Sequence, residues 1–178
     1  MIILGIDPGT IKCGYGFISF DKNVIKRIDS GTFYLQTLKS MPEKLEKIYD
    51  ELSILIKKHK ADELSIETAF YGKNIQSALK IGLARGAAIL SARHSKLNIS
   101  EYSPREIKKA VTGNGAASKE QVLYMVQTLL NQKTTKFLPD ESDALAIAIC
   151  HSFRLRSHSS KPKSWKDFAS NFPERIIG

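Results

Sequence analysis

Four of the eighteen carboxylates in this sequence stand where chemistry could be done. Asp7 closes a short apolar run, residues 1–6, and precedes Pro8-Gly9. Such a run reads as a buried strand, and a carboxylate at its C-terminal end lies on the edge where α/β sheets place ligands. Glu67 follows Leu64-Ser65-Ile66 at the end of a second such run, which would deliver it to the same edge. Asp140 and Asp143 are three apart at the start of a helix, so they share a face at an end that tolerates negative charge. Brought together with no neutralising lysine between them, four carboxylates repel strongly. An all-oxygen cluster of this kind suits hard divalent cations, Mg²⁺ or Mn²⁺. Two such ions about 3.5–4 Å apart form the clamp used for in-line attack of water on a phosphodiester. Each acid alone has a plainer use: Asp7 as a turn former, Glu67 as a solvated strand end, Asp140 and Asp143 as helix-start charges. The basic surroundings favour the shared site.

Those surroundings are extensive. Lys plus Arg number 27 against 18 for Asp plus Glu, giving a net charge of +9 and a pI near 9.5. That balance points to a polyanion, nucleic acid ahead of a merely basic soluble role. Between Thr68 and Ser100 there is no acid but five bases, Lys73, Lys80, Arg85, Arg93 and Lys96. The stretch Phe70-Tyr71-Gly72-Lys73-Asn74 is an aromatic and basic loop suited to stacking on an unpaired base and holding phosphates. Arg105, Lys108, Lys109 and Lys119 flank the loop Gly113-Asn114-Gly115, a second set suited to the phosphate backbone. A solvated basic face is the plainer reading of any one of them.

The elements that must position these residues follow from periodicity. Residues 1–6, 15–20 and 24–35 read as three successive strands, the last interrupted near Asp29-Ser30-Gly31. Leu45, Ile48, Tyr49, Leu52, Leu55 and Ile56 recur at helical spacing over 42–59. A fourth strand over 61–67, a helix over 74–94 and a fifth strand over 99–102 follow. Ser103 with Glu106 makes a capping box, Ser118 caps a helix to about residue 131, and Pro139-Asp140 opens a last helix. Its core face is Ala144, Leu145, Ala148 and Ile149. The order gives an α/β fold, a mixed five-stranded sheet flanked by helices. The domain spans 1–156, and 157–178 form a polar, basic C-terminal tail, loosely packed.

Other features exclude classes. Cys13 and Cys150 allow no disulfide framework or four-cysteine zinc site, are better as small buried side chains, and suit a reducing cytoplasm. His59, His94, His151 and His158 stand apart and read as surface or packing residues. No apolar run reaches the ~18 residues of a membrane span, and the start lacks the pattern of a signal peptide. Ala78, Gly82 and Gly86 form a small-residue stripe that admits a close helix neighbour, from the chain's own sheet or from a two-fold partner.

Four segments carry a resemblance: GIDPG with GYG at 14–16, SIETAFYGKNIQSALKIGLARGAA, PREIKKAVTGNGAASKEQV and PDESDALAIAICH. In this order and spacing they resemble the RuvC family of bacterial crossover junction endodeoxyribonucleases, from Ile3 to about Phe153. The resemblance implies a ribonuclease H-like fold, a homodimer and two Mg²⁺ ions per active site held by Asp7, Glu67, Asp140 and Asp143. Some members are similar but carry His at the last position, where this chain has Asp143. It matches Phe70 to the family's aromatic wedge, and Lys108 and Lys119 to basic residues important for DNA. It implies symmetric cutting of opposite strands of a four-way junction at a preferred short sequence, ligatable nicks, and work with the RuvA–RuvB branch-migration complex.

Three other readings stand beside it. Asp7-Pro8-Gly9-Thr10 looks like the Asp-x-Gly-Thr phosphate loop of actin-like and sugar-kinase ATP-binding folds, but 178 residues hold neither a second copy nor a Gly-rich adenosine segment. A non-catalytic junction-binding protein would not need all four acids. A nuclease of the same fold acting on RNA–DNA hybrids would not need the long match outside them.

Overall fold

The computed structural model describes residues 1–22, 24–68 and 75–159. Three strands come first: β1 (Ile2–Asp7), β2 (Lys12–Asp21) and β3 (Val24–Tyr34). Then α1 (Met41–His59), β4 (Glu63–Glu67), α2 (Ile75–His94) and β5 (Asn98–Tyr102) alternate, and α3 (Pro104–Thr112), α4 (Lys119–Leu129) and α5 (Pro139–Ser159) close the chain. The sheet order is β3-β2-β1-β4-β5. β1, β2 and β3 pair antiparallel, and β1, β4 and β5 pair parallel. Mixed pairing of this kind needs only short turns for the first three strands and helical crossovers for the rest.

Alternation along the strands sorts side chains to two faces. Leu4, Ile6, Phe17, Leu64 and Ile66 face α1 and α2, packing with Ile48, Leu52, Ile56, Ala84 and Ala88. Ile3, Ile18 and Tyr102 face α3, α4 and α5, packing with Ile107, Val122, Leu145 and Ile149. Serine caps start three of the helices. Ser40 with Glu43, Ser103 with Glu106 and Ser118 with Gln121 each form a complete capping box.

α5 lies directly on β1 and β2 because glycines form the floor beneath it. A Cβ at Gly5 would strike the Ala144 carbonyl oxygen, and one at Gly14 the Asp140 carbonyl oxygen. A Cβ at Gly16 would come 2.8 Å from Leu145 Cδ2. In register, Gly5 pairs Gly16 and Asp7 pairs Gly14, so the bare patch is continuous across the two strands. The two glycine motifs therefore serve one packing event.

The observed elements differ from the periodicity reading at several places. β2 starts at Lys12 rather than Tyr15, since Gly14 pairs Asp7 of β1 and Lys12 and Cys13 pair Tyr34 and Phe33 of β3, although glycines carry no strand pattern. β3 runs unbroken through Asp29-Ser30-Gly31, and the irregularity lies one residue earlier, where Phe17 pairs Asp29 and Ile18 pairs Arg27, leaving Ile28 as a bulge. β4 begins at Glu63, later than residue 61. α5 runs to Ser159, an end the periodicity left open, and the tail beyond it lies outside the described residues.

Replacing Gly14 by Ala is expected to destabilise the protein by about 2–3 kcal/mol, the upper range for overpacking, because backbone on both sides of the contact must move. A urea titration would read this as a lower midpoint at unchanged slope.

Candidate active site

The sheet register brings the acids together. Asp7 and Glu67 end neighbouring parallel strands, β1 and β4, where Ile6 pairs Ile66. Alternation puts both on the α5 face, with Gly5 and Ser65. α5 begins at Pro139 and its first turn lies over Gly14, so Asp140 and Asp143 arrive beside Asp7. The charges of Glu67, Asp140 and Asp143 all act on Asp7. The four acids named from sequence thus converge on one edge.

Their electrostatics are unfavourable. Burial, then Asp143, Glu67 and Asp140, push the Asp7 carboxyl up to about 8. Burial, then Asp143, also raises Glu67, and burial raises Asp143 against the pull of Lys119. The expectation of a cluster without lysine is corrected in part. Lys119 Nζ lies 3.5 Å from Asp143 Oδ2, and Lys12 Nζ lies 4.0 Å from Asp140 Oδ2. Lys108 stands near enough to act on both Glu67 and Asp143. These cations come from distant segments, α3, α4 and the first residue of β2.

The donor set is oxygen only, with more negative charge than the lysines balance, which matches the chemistry of a hard divalent cation. Among the described residues no three His, Cys, Asp or Glu side chains already stand at metal-binding spacing. A cation would therefore draw these carboxylates inward.

The other predicted binding residues divide. Lys108 and Lys119 border the acids. Arg105 packs across Gly115, where a Cβ would fall 2.7 Å from Arg105 Cγ. Lys80 lines a groove of about 730 Å³ with Lys12, Lys39, Lys44 and Asp140, so this groove opens onto the acidic edge. Arg85 forms an ion pair with Glu101, in a second groove beside Gly82. Phe70, Tyr71, Lys73 and Asn74 lie outside the described residues.

Lys12, Lys39 and Lys44 are the groove residues that sequence reasoning missed. Lys44 donates from Nζ to the Thr10 carbonyl at 3.0 Å, tying α1 to the β1–β2 turn. No local pattern marks that contact. The only signal was the position of Lys12 two residues after Asp7-Pro8-Gly9-Thr10.

His59 and His151 are packing residues, as expected. His151 bridges Glu63 Oε2 at 2.9 Å and the Tyr102 hydroxyl at 2.7 Å, and His59 contacts Asp29 at 2.8 Å. Cys13 and Cys150 are buried thiols. No described helix is long and apolar enough to cross a membrane.

A mixed sheet of this order, with acids at the carboxyl ends of β1 and β4 and on the helix that crosses them, defines a ribonuclease H-like fold of the resolvase type. The family model described as crossover junction endodeoxyribonuclease RuvC matches residues 3–151. RuvC of Chloroherpeton thalassium is 43% identical over 185 residues, covering 99% of this chain and 100% of the relative. RuvC of Citrifermentans bemidjiense is 48% identical over 151 residues, covering 85% and 92%. The solved structure of Thermus thermophilus RuvC in complex with Holliday junction substrate superposes with a TM-score of 0.83 at 26% identity, covering 90% of this chain and 98% of that one. The chain belongs to the RuvC family.

The raised Asp7 carboxyl has a sign that can be checked. Unfolded, it loses its proton near 3.8; folded, it keeps the proton to about 8. Its contribution to stability therefore falls as pH rises between these values and is flat above them. In the absence of divalent cations, Asp7→Asn is expected to melt with wild type near pH 4 and about 4–8 °C above it at pH 8, taking about 2 kcal/mol after allowance for solvent access. Thermal denaturation across pH reads the difference.

Proposed function

We propose that this chain is a Holliday junction resolvase, a metal-dependent endonuclease that nicks two opposite strands of a four-way DNA junction symmetrically. The observation that carries the reading is the convergence of Asp7, Glu67, Asp140 and Asp143 on one sheet edge, in a chain of the RuvC family. The complex of the Thermus relative with Holliday junction substrate supports the substrate class.

The four acids would hold two divalent cations, Mg²⁺ with Mn²⁺ as substitute. Asp7 would be shared between them, Glu67 on one side and Asp140 or Asp143 on the other. Bound there, such ions supply charge stabilisation for the attacking and leaving oxygens of an in-line displacement. The products would be a 5′-phosphate and a 3′-hydroxyl. The chain's own part is to orient. Asp7 sits at the centre because β1 is flanked by β4 and crossed by α5. Lys119 and Lys108, facing the acids without deep burial, would turn to backbone phosphates once cations neutralise the carboxylates. Lys12, Lys39, Lys44 and Lys80 would guide the strand along their groove, with Arg105 on the other side. The stretch with Phe70, Tyr71, Lys73 and Asn74 would stack on unpaired bases and hold phosphates, and Arg85 would add a further DNA contact. The nuclease domain would be residues 1–156, with 157–178 as a basic tail.

Paired nicking requires two sites, and α2 offers the surface for a homodimer. Its small-residue stripe splits. Ala78 is buried, while Gly82 and Gly86 have no heavy atom within 4 Å of an added Cβ, because steps of four residues drift around the helix. Ile75, Leu79, Leu83 and Leu90 are exposed along the same side. Two copies related by a dyad would cover this face and present two sites to a substrate with its own two-fold symmetry. The setting would be the cytoplasm, with the RuvA–RuvB complex.

Two measurements test this. On an immobile four-way junction with Mg²⁺, wild type is expected to give paired symmetric nicks and to leave linear duplex of the same sequence uncut. EDTA should stop cleavage. Asp7→Asn should lower it by far more than the ~100-fold typical of losing a supporting partner, while junction binding is retained. Equal cutting of the duplex would assign the chemistry to another substrate. Separately, Leu83→Glu is expected to convert a dimer to a monomer in sedimentation. A dimer that persists would place the interface elsewhere.

A further inference from the structure

Glu141 lies between Asp140 and Asp143 in sequence but is buried on a different side of α5, at 7% exposure. It is held by three donors. The Ser30 hydroxyl donates to Oε1 at 2.6 Å, Arg27 Nη2 donates to Oε1 at 3.3 Å, and the Leu138 N–H donates to Oε2 at 3.1 Å. Arg27 Nε also donates to Ser30 Oγ, and its guanidinium lies 5.4 Å from the Phe137 ring centre. The Leu138 contact places Glu141 at the third position of the helix, where a carboxylate reaching back caps the first turn.

The partners are available only through the β3 bulge. Arg27 and Ser30 are three apart, so in a regular strand they would face opposite ways. With Ile28 extruded, Arg27 pairs Ile18 and Ser30 pairs Gly16. Ile18 and Gly16 both face α5, and so do their partners. Bulges beside active sites often re-aim a side chain in this way.

We propose that Glu141, clasped by Arg27 and Ser30, is a positioning residue. It fixes the rotation and height of the first turn of α5, and with it the spacing at which Asp140 and Asp143 meet a divalent cation. The proposal rests on the reading above that these two acids hold cations. Glu141 itself touches neither cation nor DNA.

The test uses full-length protein without DNA, titrated with Mn²⁺ and followed by melting temperature, alongside steady-state cleavage of a four-way junction. Glu141→Gln is expected to raise the Mn²⁺ concentration for half-maximal stabilisation about 10-fold, as loss of a supporting partner does. Cleavage kcat should fall by about the same factor at sub-saturating Mn²⁺, with KM for the junction within twofold. Ser30→Ala, which removes one donor and strands no charge, should shift the same midpoint about threefold and covers the case in which Glu141→Gln folds poorly. Arg154→Met breaks the 2.9 Å pair with Glu106 near the other end of α5, and should lower stability while leaving the Mn²⁺ midpoint unchanged. A midpoint within twofold of wild type in both clasp variants would overturn the proposal and leave the clasp as a fold support. Asp143→Asn separates the two levels. If it too leaves the midpoint unchanged, the acids do not hold the cation, and the functional reading falls together with the clasp.

Discussion

The contact on which the rest of the structure depends is α5 lying against the bare backbone of β1 and β2. No side chain separates helix from sheet at Gly5, Gly14 and Gly16. That approach carries Asp140 and Asp143 into the neighbourhood of Asp7, where crowding of carboxylates is costly. The magnitudes show why the fold tolerates it. Leu145, Ile147 and Ile149 are fully buried along α5 and contribute roughly 5–9 kcal/mol by transfer. The penalty on Asp7 is a few kcal/mol. Apolar burial along the helix therefore outweighs repulsion at its tip, and a strained acidic edge can persist without cations.

The helix is secured at more than its tip. Further along, His151 reaches across to Glu63 on β4 and Tyr102 on β5. Burial lowers the affinity of this imidazole for a proton, against the pull of Glu63. Neutral, it donates through one nitrogen to the carboxylate and accepts the phenol proton at the other, satisfying all three groups. Glu63 lies on the same face of β4 as Glu67, four residues away. The strand that delivers Glu67 is thus fixed to the helix that delivers Asp143, and relative sliding of the two would break a buried polar chain.

Much of this was legible in sequence because the acids mark element ends. Asp7 and Glu67 each terminate an apolar run, and Asp140-x-x-Asp143 opens a helix whose apolar face is plain. What could not be read depended on register and turns. Lys12 falls inside β2 only because it pairs Tyr34 at the far end of β3, beyond the glycines that carry the pairing with β1, and glycines leave no periodic trace. Lys44 meets the β1–β2 turn through tertiary packing of α1. The role of Glu141 needs the bulge at Ile28, a one-residue slip that propensity does not encode. The exposed side of Gly82 and Gly86 likewise depends on which face of α2 meets the sheet. The loop with Phe70 and Tyr71, read as a base-stacking element, lies outside the described residues.

The two kinds of acid on α5 differ in how they are partnered, and that difference separates structure from function. Glu141 is buried and saturated with donors, one of them a planar guanidinium held in place by Ser30 and Phe137. Such a group is turned inward, away from any ligand at the sheet edge. Among the described residues, Asp143 and Asp140 are paired with ammonium groups at 3.5 Å and 4.0 Å. The Lys119 side chain is 76% exposed, so its attraction is screened and its chain is free to swing away. A lysine on a flexible stem lowers the net charge of the carboxylates without locking them in one geometry. An arginine in the same place, forked onto both carboxylate oxygens, would compete with any cation. Lysine around Asp7 and arginine around Glu141 thus set a screened, exchangeable pairing beside a buried, fixed one.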